Sequence, residues 1–179
     1  DARRSSQFVT AVLLAAPYAR EDVTLEPIEG VVVSRPYVDL TLQVMNAFGA
    51  EASWSEGGRA LRVAAGRPYA ARAFEIEPDA APPVTLRVGS GDLPAGGVVR
   101  VPHVPADSLQ SDFALLGILE RMGCRVERAG ATVAVHGPAG PLRAVDVDMN
   151  DLPDAVLALA VGALFAQGTT PIRNGANLR

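Results

Sequence analysis

No lysine occurs among the 179 residues, so all 16 basic side chains are arginine. That excludes from the chain a Schiff-base nucleophile and any phosphate cradle that depends on a lysine ammonium. Thiols are nearly as scarce. A lone cysteine, Cys124, excludes an internal disulfide framework and a zinc site built from several thiolates. The two histidines, His103 and His136, have no metal-ligand spacing to Asp, Glu or Cys. Gly89-Ser90-Gly91 lacks the Lys-Ser/Thr that a P-loop requires. The longest apolar runs, Phe8 to Ala16 and Ala155 to Ala166, fall short of the roughly 18 residues of a membrane span. An excess of positive charge is absent too. The formal net charge is -4, with arginines scattered among acids, which excludes the basic stripe of a nucleic-acid binder. The opening lacks the order of a secretory signal, so the expected setting is cytoplasmic.

What is present is a core. Hydrophobic residues make up 49% and charged residues 20%, a folding rather than a disordered composition. Asp1 at one end and Ile172 to Arg179 at the other read as cuts through a longer polypeptide.

The chain repeats with a period of about 75 residues, the kind of self-similarity that marks a repeated supersecondary unit. Pro153-Asp154-Ala155 repeats Pro78-Asp79-Ala80, and Leu42 to Ala50 matches Leu116 to Cys124. Phe8 to Ala19 matches Ala155 to Ala166, and Val23-Thr24-Leu25 matches Thr170-Pro171-Ile172. Each unit reads as a buried helix starting near Gln7, Asp79 or Asp154, then a strand (Val23 to Leu25, or Val98 to Val101). An amphipathic helix follows, with Val38, Leu42, Met45 and Gly49 in one copy and Leu109, Leu116, Leu119 and Met122 in the other. Asp107-Ser108 offers a cap for the second of these helices, and Gly49 and Gly123 close the pair. A hairpin ends the unit: residues around Trp54 turn through Glu56 to Arg59 into Ala60 to Val63, and Val133 to Val135 supplies the equivalent strand. The fold class is therefore α/β (α+β), with a mixed sheet in each lobe.

One stretch breaks the period. Residues 81–95 should carry a buried helix, yet Pro82, Pro83, Pro94, Gly89 and Gly91 oppose one. The stretch reads either as a genuine loop or as a short reading-frame slip between two intact flanks.

Ser5-Ser6-Gln7-Phe8, Ser34-Arg35-Pro36-Tyr37-Val38-Asp39, Asp107-Ser108-Leu109-Gln110, Met122-Gly123, Asp148 to Ala155 and Ile172 to Arg179 stand in this order. Together these blocks resemble the 5-enolpyruvylshikimate-3-phosphate synthase (3-phosphoshikimate 1-carboxyvinyltransferase) family over nearly the whole chain except residues 81–95. The resemblance implies the enolpyruvyl transferase fold, an inside-out α/β barrel of βαβαββ repeats in two lobes, only partly present here. Residues 1–77 would be the C-terminal part of the first lobe and 78–179 the N-terminal part of the second. It implies transfer of a carboxyvinyl group from phosphoenolpyruvate to the 5-hydroxyl of shikimate 3-phosphate, with release of phosphate. Those two small molecules are the implied partners. No cofactor, metal, nucleic acid or membrane is implied, and the full-length protein would be a monomer.

The same resemblance assigns residues. Ser5, Ser6 and Ser34 would bind the substrate phosphate, and Gln7 and Tyr37 would contact its ring. Asp154 would accept the proton of the 5-hydroxyl, and Asn177 would help hold the phosphate. Spacing alone allows plainer roles. Ser5 and Ser6 precede an apolar helix, where a serine N-cap is expected. Ser34 reads equally as a helix cap, Tyr37 as a half-buried tyrosine with a polar tip, and Asp154 as the cap of the helix that follows it. Cys124 pairs with Ala50 in the repeat and reads as a small packed residue.

The family draws its lysines and most of its clamping arginines from segments that flank these 179 residues. The segment alone is therefore expected to be catalytically silent. Two other readings stay open: a non-catalytic repeat or binding protein of the same fold, and another enolpyruvyl transferase such as the one acting on UDP-N-acetylglucosamine.

Overall fold

A computed structural model describes residues 2, 5–77, 97–104, 108, 110 and 113–175. Residues 81–95, Asp79, Asp107, Leu109 and Asn177 lie outside the described residues, so the readings placed on them have no structural counterpart here. The chain divides into two compact units, Asp1–Glu75 and Ile76–Arg179.

In the first unit, Ser5 accepts the Gln7 amide and starts α1 (Ser6–Ala15), which runs on as a 3₁₀ turn through Ala16–Tyr18. Strand β1 (Val23–Leu25) leads to α2 (Arg35–Ala47), which has Pro36 in its first turn, where the missing N–H costs nothing. A hairpin of β2 (Ala52–Trp54) and β3 (Leu61–Val63) follows. Strand β3 lies in the middle, antiparallel to both neighbours, so Val63 faces Val23 and Ala52 while Leu61 faces Leu25 and Trp54. Val38, Leu42 and Met45 form the buried stripe of α2 and close a core with Leu13, Leu61 and Val63.

The second unit repeats this order. Strand β4 (Val98–Pro102) is followed by α3 (Ala114–Arg121) and a hairpin of β5 (Arg125–Ala129) and β6 (Thr132–His136). Again the last strand of the hairpin is central, antiparallel to β4 and to β5. Val99, Val101, Val133 and Val135 point to one face and pack under Leu115 and Leu119 of α3. Beyond the hairpin come β7 (Leu142–Arg143), β8 (Val147–Asp148), α4 (Val156–Ala163), β9 (Ala166–Gln167) and β10 (Ile172–Arg173). Here the pairings are parallel, β7 with β9 and β8 with β10.

The expected period is thus visible in three dimensions, down to the helix ends. Gly49 and Gly123 sit at φ 95° and 107°, and the residue after each donates its amide five positions back, Ala50 to Met45 at 3.1 Å and Cys124 to Leu119 at 3.0 Å. This is the Schellman arrangement, which needs a left-handed residue.

Four local expectations are corrected. Helix α3 begins at Ala114, with no side-chain cap. Ser108 caps nothing in it; its hydroxyl donates to Glu77 at 2.5 Å and accepts the Gln110 amide at 3.2 Å. The run from Asp154 to Ala166 is a 3₁₀ turn at Pro153–Ala155, then α4 to Ala163, with Ala166 in β9. Ala155 rather than Asp154 occupies the cap position of α4. Lastly, α1 and α4 are apolar all round in sequence but not buried all round. Phe8 and Val12 are 61% and 46% exposed, and Leu157 and Val161 70% and 46%, because no described element covers those faces.

A methyl group at Gly49 or Gly123 would meet only ordinary contacts, 3.7 Å from the Cβ atoms of Ala70 and Pro138. The cost of Gly49→Ala or Gly123→Ala should therefore be backbone strain, about 1–2 kcal/mol each. Chemical denaturation of the two variants should show equal losses of that size.

Candidate functional site

Helices α1 and α2 run in the same direction. The Val33 amide donates to the Ala2 carbonyl at 3.3 Å, and the Thr10 and Thr41 hydroxyls lie 3.3 Å apart. Both contacts join residues 31 positions apart (33 − 2 and 41 − 10), as parallel neighbours require; antiparallel ones would keep the sum constant. The two N-termini are therefore side by side, with Ser6 level with Tyr37.

Each N-terminus carries free backbone N–H groups and the positive end of a helix dipole. Neither first turn contains an acidic residue to balance it. Ser6 and Ser34, 8% and 5% exposed, are the buried polar residues among those described. Each sits at a helix start, where a small hydroxyl can join the backbone N–H groups in holding an anion.

Ser34 adds strain. Its backbone is left-handed (φ 56°, ψ 44°) and its side chain makes no capping bond, so the helix-cap reading of Ser34 fails. Left-handed backbone at a non-glycine residue persists only where its surroundings fix it. Here they do so from both sides. Val33 is tied to Ala2, and the Ser34 carbonyl accepts the Tyr37 amide at 3.1 Å. Trp54 then grips the N-terminal part of α2 twice. Its Nε1–H donates to Asp39 at 2.6 Å, and the Arg35 guanidinium lies over its ring, 4.1 Å from the centroid.

The remaining predicted residues divide by environment. Ser5 does cap α1, accepting the Gln7 amide at 3.2 Å, but its hydroxyl proton remains available to donate. Gln7 is exposed and Tyr37 half-buried. In the second unit Asp154 is exposed, on a turn whose neighbours Leu152, Ala155 and Val156 are buried. The structure thus groups Ser5, Ser6, Ser34 and Tyr37 and holds Asp154 on the other unit. A hollow of about 650 Å³ lined by Asp22, Asn46, Glu51 and Arg62 contains none of the predicted residues.

Sequence reasoning missed the Trp54 grip. The Arg35 and Asp39 spacing of one turn was visible, but nothing in the sequence says that an indole crosses from the hairpin to meet both. It also missed the pairing of His136. That imidazole faces Glu127 across the strands at 3.0 Å, and Arg125 reaches the same carboxylate at 2.6 Å. The hydrogen bond from His136, with the Arg125, His136 and Arg100 charges, lowers the Glu127 pKa despite an opposing contribution from desolvation.

A family model described as EPSP synthase (3-phosphoshikimate 1-carboxyvinyltransferase) matches residues 1–179. The chain belongs to this family. A 3-phosphoshikimate 1-carboxyvinyltransferase of Syntrophobacter fumaroxidans is 44% identical over 181 residues, and one of a Sulfurovum species 40% identical over 180. Each match takes in 100% of this chain but 41% of the relative, so the chain spans about two-fifths of their length. Among solved structures, the enolpyruvyl transferase NikO of Streptomyces tendae superposes with a TM-score of 0.73 at 24% identity, over 94% of this chain and 39% of its own. EPSP synthase of Acinetobacter baumannii gives 0.70 at 22% identity, over 98% and 39%. The fold is accordingly that of the enolpyruvyl transferases, partly present.

Cys124 is 7% exposed, and burial pushes its thiol pKa from the usual 9.0 to about 11. As a thiolate is the reactive form, a thiol reagent at pH 8 should modify Cys124 only after denaturant is added. The folded state holds this proton longer than the unfolded one, so its contribution to stability is complete below pH 9 and falls as pH rises toward 11. Rapid labelling of the folded chain at pH 8 would contradict the buried placement.

Proposed function

We propose that this chain is the central part of an enzyme that transfers the carboxyvinyl group of phosphoenolpyruvate to the 5-hydroxyl of shikimate 3-phosphate, releasing phosphate. The chemistry belongs to a protein of the relatives' full length, and the 179 residues by themselves release no phosphate. In this reading residues 1–77 close the first lobe and 78–179 open the second, and the setting is cytoplasmic. The uncovered faces of α1 and α4 pack against the other copies of the repeat in those lobes.

The observation that carries the reading is the pair of parallel helix N-termini, with the buried residues Ser6 and Ser34 at their starts. A phosphate dianion suits such a site. It accepts hydrogen bonds from hydroxyls and backbone amides, and both helix dipoles favour its charge. Ser5, Ser6 and Ser34 hold this phosphate, while Gln7 and Tyr37 fix the ring attached to it, so that the 5-hydroxyl has one orientation. Asp154 takes the proton of that hydroxyl as the bond to the carboxyvinyl group forms. Asn177 contributes to phosphate binding. A carboxylate on a turn held by buried neighbours suits a general base, which must keep its place.

Left-handed Ser34 separates this reading from a structural one. Ser34→Gly removes the strain and the hydroxyl together. In the full-length protein it should melt no earlier than the wild type, yet bind shikimate 3-phosphate at least about tenfold more weakly, since a hydrogen bond to a charged group contributes about 1.5–3 kcal/mol. Ser6→Ala should weaken binding similarly. Affinity unchanged in both variants, or a wild-type protein that releases no phosphate from the two substrates, would overturn the proposal.

A further inference from the structure

We infer that Asp148 is a positioning residue which, through its two carboxylate oxygens, holds the segment carrying Asp154 and the segment after β10 in a fixed relation. The inference rests on the proposed function, because it gives Asp154 a role to be positioned for.

Strands β8 and β10 are two residues long, with Val147 opposite Ile172 and Asp148 opposite Arg173. Few backbone bonds join them: Val147 donates to Pro171 at 3.1 Å and Met149 to Arg173 at 3.0 Å. After the ladder one strand leads to the turn that carries Asp154 and the other to Asn174. Strand alternation sends Val147 and Met149 into the core, 3% and 0% exposed, and leaves Asp148 on the opposite side.

There Asp148 bridges the two segments. Oδ1 accepts the Asn150 backbone amide at 2.9 Å, and Oδ2 accepts the Asn174 side-chain Nδ2–H at 2.9 Å. Asn174 is itself left-handed (φ 56°), a conformation that Asn and Asp tolerate best after glycine. Asn150 passes the constraint along by donating from Nδ2 to Asp151 at 3.0 Å, three residues before Asp154. Arg173, directly across the ladder, is engaged by Asp146. Asp148 therefore works as a double acceptor between two donors.

That pattern makes a sharp test possible. In Asn174→Asp the contact with Asp148 becomes acceptor against acceptor, with two like charges, which no rotation of either carboxylate relieves. Exchanging the partners, Asp148→Asn with Asn174→Asp, restores both bonds with the direction of one reversed and keeps the net charge. The measurements use the full-length protein. Hydrogen exchange at residues 149–152 and 174–175 reads the clamp, and steady-state kinetics read its consequence.

In N174D these amides should exchange faster and kcat should fall about tenfold, with the KM for phosphoenolpyruvate changed less than about twofold. The exchanged pair should recover slow exchange and most of kcat. Unaltered exchange in N174D, or lost kcat that the exchanged pair leaves unrestored, would overturn the inference. Should the wild type lack transferase activity, the proposed function fails. The exchange data then decide the clamp alone: faster exchange in N174D with recovery in the exchanged pair upholds it, and anything else overturns it.

Discussion

The parallel packing of α1 against α2 is the constraint on which the candidate site depends. Each helix alone ends in a few unpaired amides and a weak positive potential, which water would satisfy. Side by side, with the Val33–Ala2 bond ahead of them and the Thr10–Thr41 contact one turn in, the two ends add their positive potentials at one place. Hydrogen bonds and dipoles act more strongly away from bulk water, and Ser6 and Ser34 are both buried residues. The strained Ser34 backbone is the counterpart of this arrangement. It is held by a backbone bond on one side and by the Trp54 grip on the other.

The repeat explains how so small a set of rules builds two units. In both, an amphipathic helix ends on a left-handed glycine and feeds a hairpin whose last strand is central. In both, the residue after that glycine is buried, Ala50 in one and Cys124 in the other. The thiol of Cys124 therefore follows from packing. The exposed apolar faces of α1 and α4 mark where each unit's own elements stop covering it, in line with a chain that spans about two-fifths of its relatives.

Much of this was legible before any coordinates. Helical spacing located α2 and α3, the glycines located their ends, and Glu56 to Arg59 located the turn between β2 and β3, because each is a local property of the chain. The serines were legible as a group only through their family resemblance, since spacing alone fitted capping as well. For Ser5 the capping geometry is present; for Ser34 it is not. What could not be read was long-range: the indole of Trp54 over Arg35, the carboxylate of Asp148 between two strands, and the 3₁₀ turn that moves Asp154 off the cap of α4. Such contacts depend on which distant residues meet, and a pattern along the chain does not encode them.

A crystal structure of the full-length protein with shikimate 3-phosphate bound tests the central claim most directly. The account predicts its phosphate between the N-termini of α1 and α2, with oxygens at roughly 2.5–3.0 Å from the hydroxyls of Ser6 and Ser34. A phosphate bound elsewhere, with those two hydroxyls turned into the protein, would contradict it.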